Sequence, residues 1–136
     1  MKVIFGADDT NECVTTVAAY LEANFETRIV DLTSWPELSE AVARGVADGE
    51  YRFGVLMCWT GTGTAISANK VPGVRAALAW EPWIARNARL WNDANVLTMS
   101  LKRTAPDVAV DCLKAFFAVD GPDPEEVPQI DKIRGR

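Results

Sequence analysis

The residues Cys58-Trp59-Thr60-Gly61-Thr62-Gly63-Thr64 follow directly on the apolar run Phe53–Met57. A strand that delivers these residue types to the start of a helix brings a thiol, hydroxyls and a row of backbone N–H groups to one point. Such a point can hold an anion or a developing oxyanion, and a helix N-terminus also lowers the pKa of a nearby thiol. Two other polar clusters stand at the edges of apolar runs: Asp8-Asp9-Thr10-Asn11, and Trp91-Asn92-Asp93-Ala94-Asn95 with Lys102-Arg103 beyond it. The chain has no histidine, so any acid–base work falls to Cys, Asp, Glu, Lys or Tyr. Its three cysteines, Cys13, Cys58 and Cys112, fit neither a disulfide framework nor a zinc site, and their spacing suits a reducing cytoplasm.

The elements that must position these residues alternate. Lys2–Gly6, Arg28–Asp31, Phe53–Cys58, Val74–Ala79 and Asn95–Ser100 read as strands. Asn11–Asn24, Pro36–Ala47, Thr62–Asn69, Pro82–Trp91 and Pro106–Val119 read as helices, with Thr10 or Asn11 capping the first and Ser34 the second. Five β-α units whose first, third and fifth strands are continuous apolar runs predict an α/β, three-layer α/β/α Rossmann-like domain over residues 1–121, with a five-stranded parallel sheet. Residues 122–136 hold three prolines and several acids, and read as an extended C-terminal arm for a neighbouring subunit. Ligands of such sheets sit beyond the carboxyl ends of the strands, where all three polar clusters are expected.

The 136 residues make one domain, about half hydrophobic, with a formal net charge of -5. That charge argues against nucleic acid and anionic membranes as partners, and no apolar run approaches the roughly 20 residues that span a bilayer. Each candidate residue also has a plainer reading. Cys58 could be an inert core thiol, as Cys13 and Cys112 are by default. The Gly61/Gly63 loop could be a tight turn, since it lacks the third glycine and the lysine of nucleotide-binding loops. Asp8 and Asp9 could cap the first helix, or bind a divalent metal, for which one acidic pair is thin evidence. Trp91 could be interface packing or a pocket wall.

The blocks Gly54–Cys58, Thr60-Gly61-x-Gly63 and Ser67-Ala68-Asn69-Lys70-Val71-Pro72-Gly73-x-Arg75-Ala76, with Gly6-x-Asp8, Trp35-Pro36 and Asn92–Leu97, resemble ribose-5-phosphate isomerase B and the related galactose-6-phosphate isomerase subunits, in order and along nearly the whole chain. The resemblance implies aldose–ketose isomerisation through an enediolate, without a cofactor or metal. It makes Cys58 the residue that moves the proton, Thr60 a helper in ring opening, and Gly61, Thr62, Gly63 and Thr64 the N–H cradle. Asp8 and Asn92 bind sugar hydroxyls, and sites are shared across a homodimer or homotetramer.

This sequence departs from that pattern around the loop. Asp9 and Trp91 replace histidines, and Trp59 replaces a glycine. In the arm, Glu125, Glu126 and Gln129 stand where the phosphate-binding arginines and histidine belong. Phosphate needs cationic partners, whereas Trp59, Trp91 and Trp83 suit the apolar face of a sugar. The expected reading is therefore an isomerase of a substrate other than ribose 5-phosphate, with Cys58, Thr60 and Asp9 catalytic and Asp8, Trp59, Gly61 to Thr64, Trp91 and Asn92 binding. Two alternatives stand beside it: a non-catalytic or partner subunit of a heteromeric isomerase, and a sugar-binding module.

Overall fold

The computed structural model describes residues 1–31 and 33–136. Five strands, β1 (Lys2–Ala7), β2 (Glu26–Ile29), β3 (Phe53–Cys58), β4 (Ala76–Leu78) and β5 (Val96–Ser100), form one parallel sheet in the order β2-β1-β3-β5-β4. Helices α1 (Glu12–Asn24), α2 (Trp35–Ala47), α3 (Thr62–Ala68), α4 (Pro82–Asn92) and α5 (Pro106–Phe117) connect and cover it, and α6 (Val127–Ile130) lies in the arm.

The direction of each step across the sheet decides which face a helix covers, because parallel crossovers are right-handed. The steps β2 to β3 and β3 to β4 run one way, so α2 and α3 share a face with Leu38, Val42, Val46 and Ala68 in its core. The steps β1 to β2 and β4 to β5 run the other way and put α1 and α4, joined by α5, on the opposite face. Phe53, Val55, Met57, Leu97, Phe116 and Leu113 fill that second core. Strand β3 is buried along its whole length. Chain order reverses between β1 and β3, and the loops leaving these strands part around a crevice at their carboxyl ends.

Asn11 is the cap of α1, its side chain accepting from the Val14 N–H at 3.0 Å. Ser34 precedes α2 without a side-chain cap bond, and α2 opens at Trp35. The second strand begins and ends two residues earlier than its apolar content predicts. It is an edge strand whose span is set by pairing, from Lys2 opposite Glu26 to Phe5 opposite Ile29. The fourth is shorter than predicted because asparagine side chains stand in for a partner strand: Asn95 accepts from the Arg75 N–H and Asn69 from the Ala76 N–H, both at 2.8 Å.

The arm is not wholly extended. Its single-turn helix α6 places Pro128 in the first turn, where the missing N–H costs no bond. The Asp123 N–H donates to the Leu90 carbonyl and Ile130 is buried, so the arm packs along the end of its own chain's α4. Asp93, in the left-handed conformation at φ 49°, closes α4 and takes Arg75, Arg89 and Arg134 on one carboxylate.

Candidate active site

The site grows from the end of β3. Cys58 is its last residue, buried at 5% exposure, and Gly61 turns the chain into α3 at φ 77°. That conformation already favours glycine. A side chain there would also meet the Leu78 methyl at 2.6 Å and the Met99 backbone at 2.9 Å. Thr98 on β5 holds the turn from below by donating to the Gly61 carbonyl at 2.9 Å. Ser100 donates to the Trp59 carbonyl, and the Leu101 N–H bonds the Cys58 carbonyl.

This turn wraps around the sulfur. The Gly61 N–H donates to Cys58 Sγ at 3.1 Å, and Thr64 Oγ1 lies 3.4 Å from it. Burial pushes the thiol pKa up, yet the Thr64 hydroxyl and the N–H groups of Thr64, Gly61 and Thr60 together outweigh it, and the net shift is downward. Thr60 Oγ1 and Thr62 Oγ1 share a hydrogen bond of 2.6 Å at the cavity rim.

A cavity of about 420 Å³ opens on this sulfur, lined by Asp8, Trp35, Cys58, Trp59, Thr60, Thr62 and Gly63. Its lining holds one acid and no lysine or arginine. Asp8 Oδ1 is buried without a hydrogen-bond partner in the chain, and burial, with the neighbouring charge of Asp9, raises its pKa. An orphaned acceptor beside a cavity is a ready partner for a ligand hydroxyl. Asp9 points elsewhere. Its Oδ2 accepts from the Trp59 indole at 3.0 Å and its Oδ1 from the Thr10 N–H at 2.8 Å. These bonds and Lys102 hold its pKa down.

Within the chain, the structure gathers Asp8, Cys58, Trp59, Thr60, Thr62 and Gly63 around one cavity, with Gly61 and Thr64 behind them. It does not bring Trp91, Asn92 or Trp83 there. Helix α4 runs antiparallel to the strands, so its last turn stands at the amino end of β5, roughly 15 Å of strand away from the Cys58 end. The expectation that all three polar clusters share the carboxyl ends is therefore corrected for the Trp91–Asn95 part of the third, while Lys102-Arg103 do follow the carboxyl end of β5. Trp91 packs edge-on against Trp83, centroids 5.6 Å apart, and Asn92 lines a separate cavity with Asn69, Arg75 and Arg136.

Sequence reasoning also missed residues. Trp35 is a cavity wall whose ring lies 3.2 Å from where a side chain on Gly63 would begin. Its sequence signal was the Trp35-Pro36 pair, part of the family resemblance, which gave it no site role. Thr98 and Ser100 gave no signal, since hydroxyls inside an apolar strand declare no partner.

The model of the ribose/galactose isomerase family matches residues 3–133 of the chain. The chain belongs to the ribose/galactose isomerase family. It is 34% identical over 129 residues to ribose-5-P isomerase B of Listeria innocua, covering 88% of this chain and 86% of that one. It is 31% identical over 99 residues to a D-erythrulose-4-phosphate isomerase of Pectobacterium atrosepticum, covering 73% and 65%. Ribose-5-phosphate isomerase B of Clostridium thermocellum superposes with a TM-score of 0.90 at 28% identity, over 98% of this chain and 95% of that one. At the level of the ribose/galactose isomerase family the activity is aldose–ketose isomerisation, and the three-layer sheet fold is the family's own.

Proposed function

We propose that this chain is an aldose–ketose isomerase that works through an enediolate on a sugar other than ribose 5-phosphate. The observation that carries the reading is Cys58 itself: a buried thiol with a lowered pKa, cradled by the Gly61 N–H and facing a cavity whose floor is the first turn of α3. As thiolate, Cys58 removes the proton alpha to the sugar carbonyl. The C–H pair becomes the enediolate double bond and the carbonyl pair moves onto oxygen. Gly61 N–H is already committed to the sulfur and Thr62 N–H donates to Thr60 Oγ1 at 3.3 Å, so the Gly63 amide, a first-turn group without a helical acceptor, receives that oxyanion, joined by the Thr62 amide as it leaves Thr60. The Cys58 thiol then returns the proton to the neighbouring carbon, as the hydroxyl proton of the enediolate passes from one oxygen to the other and the new carbonyl forms where the hydroxyl stood. Asp8 Oδ1 takes a sugar hydroxyl.

The cavity lining favours a neutral substrate. A phosphate dianion there would meet Asp8 and no lining cation, whereas Trp35 and Trp59 offer flat apolar surface to a sugar ring. Because Trp91 and Asn92 stand at the far end of the sheet, the sugar contact that the resemblance assigns to Asn92 requires a second copy, so the proposal includes a homodimer at least.

The test is solvent deuterium exchange into a panel of free aldoses and ribose 5-phosphate. Exchange into a free sugar, cut at least about a hundredfold in Cys58→Ser, is the expected result. No exchange into any sugar removes the isomerase reading in favour of a sugar-binding or partner role. Strong turnover of ribose 5-phosphate removes the substrate reading.

A further inference from the structure

Trp59 is an oddity: a large indole, 57% exposed, yet contacted both at its edge and on one face. Its Nε1–H donates to Asp9 Oδ2 at 3.0 Å, and Lys102 Nζ stands 4.4 Å from its ring centroid. Asp9 is itself fixed by the Thr10 N–H at 2.8 Å. The three residues follow three adjacent strands, β1, β3 and β5, so the contact ties together the loops that frame the crevice. An exposed indole with a single contact would sample several rotamers, whereas one anchored at its edge and on one face is pre-organised for a ligand.

We propose that Asp9 and Lys102 latch Trp59 as a rigid wall of the Cys58 cavity, and that this wall selects sugars whose end against the indole is uncharged. The proposal rests on the cavity being the substrate site, as argued above. Asp9 is then a positioning residue, because its carboxylate engages the indole and is not among the groups lining the Cys58 cavity. The charge balance fits the selection. Asp8 and Asp9 flank this corner, and Lys102 beside it is already seated on the ring. A phosphorylated end meets net negative charge, and a C–H face meets the indole.

The first experiment needs no turnover. Acrylamide quenching of intrinsic fluorescence, with Trp59→Phe identifying the Trp59 component, compares the wild type with Asp9→Ala and Asp9→Asn. Asp9→Ala should raise quenching of that component about twofold, while Asp9→Asn, which keeps an acceptor for the indole, should preserve most of the protection. In the second, D-ribose and ribose 5-phosphate serve as binding probes. Asp9→Ala should weaken D-ribose several-fold and Asp9→Asn should rescue most of that loss, while Trp59→Gly should shift the affinity ratio toward ribose 5-phosphate by about tenfold. Equal quenching in all variants, an Asp9→Asn as damaging as Asp9→Ala, an unchanged ratio, or no binding of either probe would each overturn the proposal. An intact latch with no proton exchange into any sugar would sink the isomerase reading alone.

Discussion

Two thiols of this chain differ in their surroundings, and the difference makes them separable by pH. Cys58 loses solvent but gains donors, and the donors prevail. Its thiolate is the active form, so kcat/KM for an isomerised sugar should rise with pH with its midpoint below 9.0, the ordinary thiol value. Thr64→Val removes one donor and should move that rising limb to higher pH, which a pH–rate profile would show. Cys112 has no such donors. Burial, with Glu81 and Asp111 adding to it, pushes its thiol from 9.0 up to about 11. A folded-state pKa above the unfolded one means that the stabilisation is complete below pH 9.0 and is lost as pH rises through about 11. Urea unfolding between pH 8 and pH 11 should therefore show a loss on the order of 2 kcal/mol from this group, and Cys112→Ala should flatten that part of the slope. The element that carries each cysteine told which one was special: Cys58 ends a strand before a glycine loop, while Cys13 and Cys112 sit inside amphipathic helices.

Among the elements, the junction of β3 and α3 depends on its neighbours. Gly61→Ala places a methyl against Leu78 and the Met99 backbone at a positive φ, and should cost about 2 kcal/mol in stability together with most of the activity. Thr98→Val keeps the shape but removes the shortest hydrogen bond of the Gly61 carbonyl, leaving it the longer ones from Thr64 Oγ1 at 3.3 Å and the Ala65 N–H at 3.4 Å. It should cost about 1–2 kcal/mol, read by chemical denaturation, with a fall in kcat larger than any change in KM. The end of α4 has a comparable pivot. Asp93 pairs Arg75, Arg134 and Arg89, whose side chain is wholly buried between Phe53 and Phe116. Asp93→Ala leaves that guanidinium without its counter-charge and should lower stability by about 3 kcal/mol, measured the same way. The sequence showed the apolar strands and the helical periods, hence the element order. It could not show where β2 and β4 stop, because β2 is bounded by pairing to β1 and β4 by side chains of Asn69 and Asn95.

For the whole molecule, the split between Cys58 and the Trp91–Asn92 pair makes a prediction about assembly. If a second copy brings Asn92 to the Cys58 cavity, Cys58→Ser and Asn92→Ala chains are each inactive alone, yet mixing and reassembling them should restore about a quarter of wild-type exchange, because half the dimers then carry one intact site. No recovery, measured against a mixture shown to contain heterodimers, would mean that each chain works by itself. The sequence by itself determined the chemistry-bearing loop, the order of strands and helices and the family, because these depend on residue type, period and local spacing along the chain. Only the tertiary structure decided which distant residues share a cavity. It brought in Trp35, turned Asp9 onto Trp59, set Thr98 under Gly61 and sent Trp91 and Asn92 to the other end of the sheet. The reason is geometric: strand order and crossover direction fix which loops meet, and both are settled by packing on the two faces of the sheet rather than by any residue read alone.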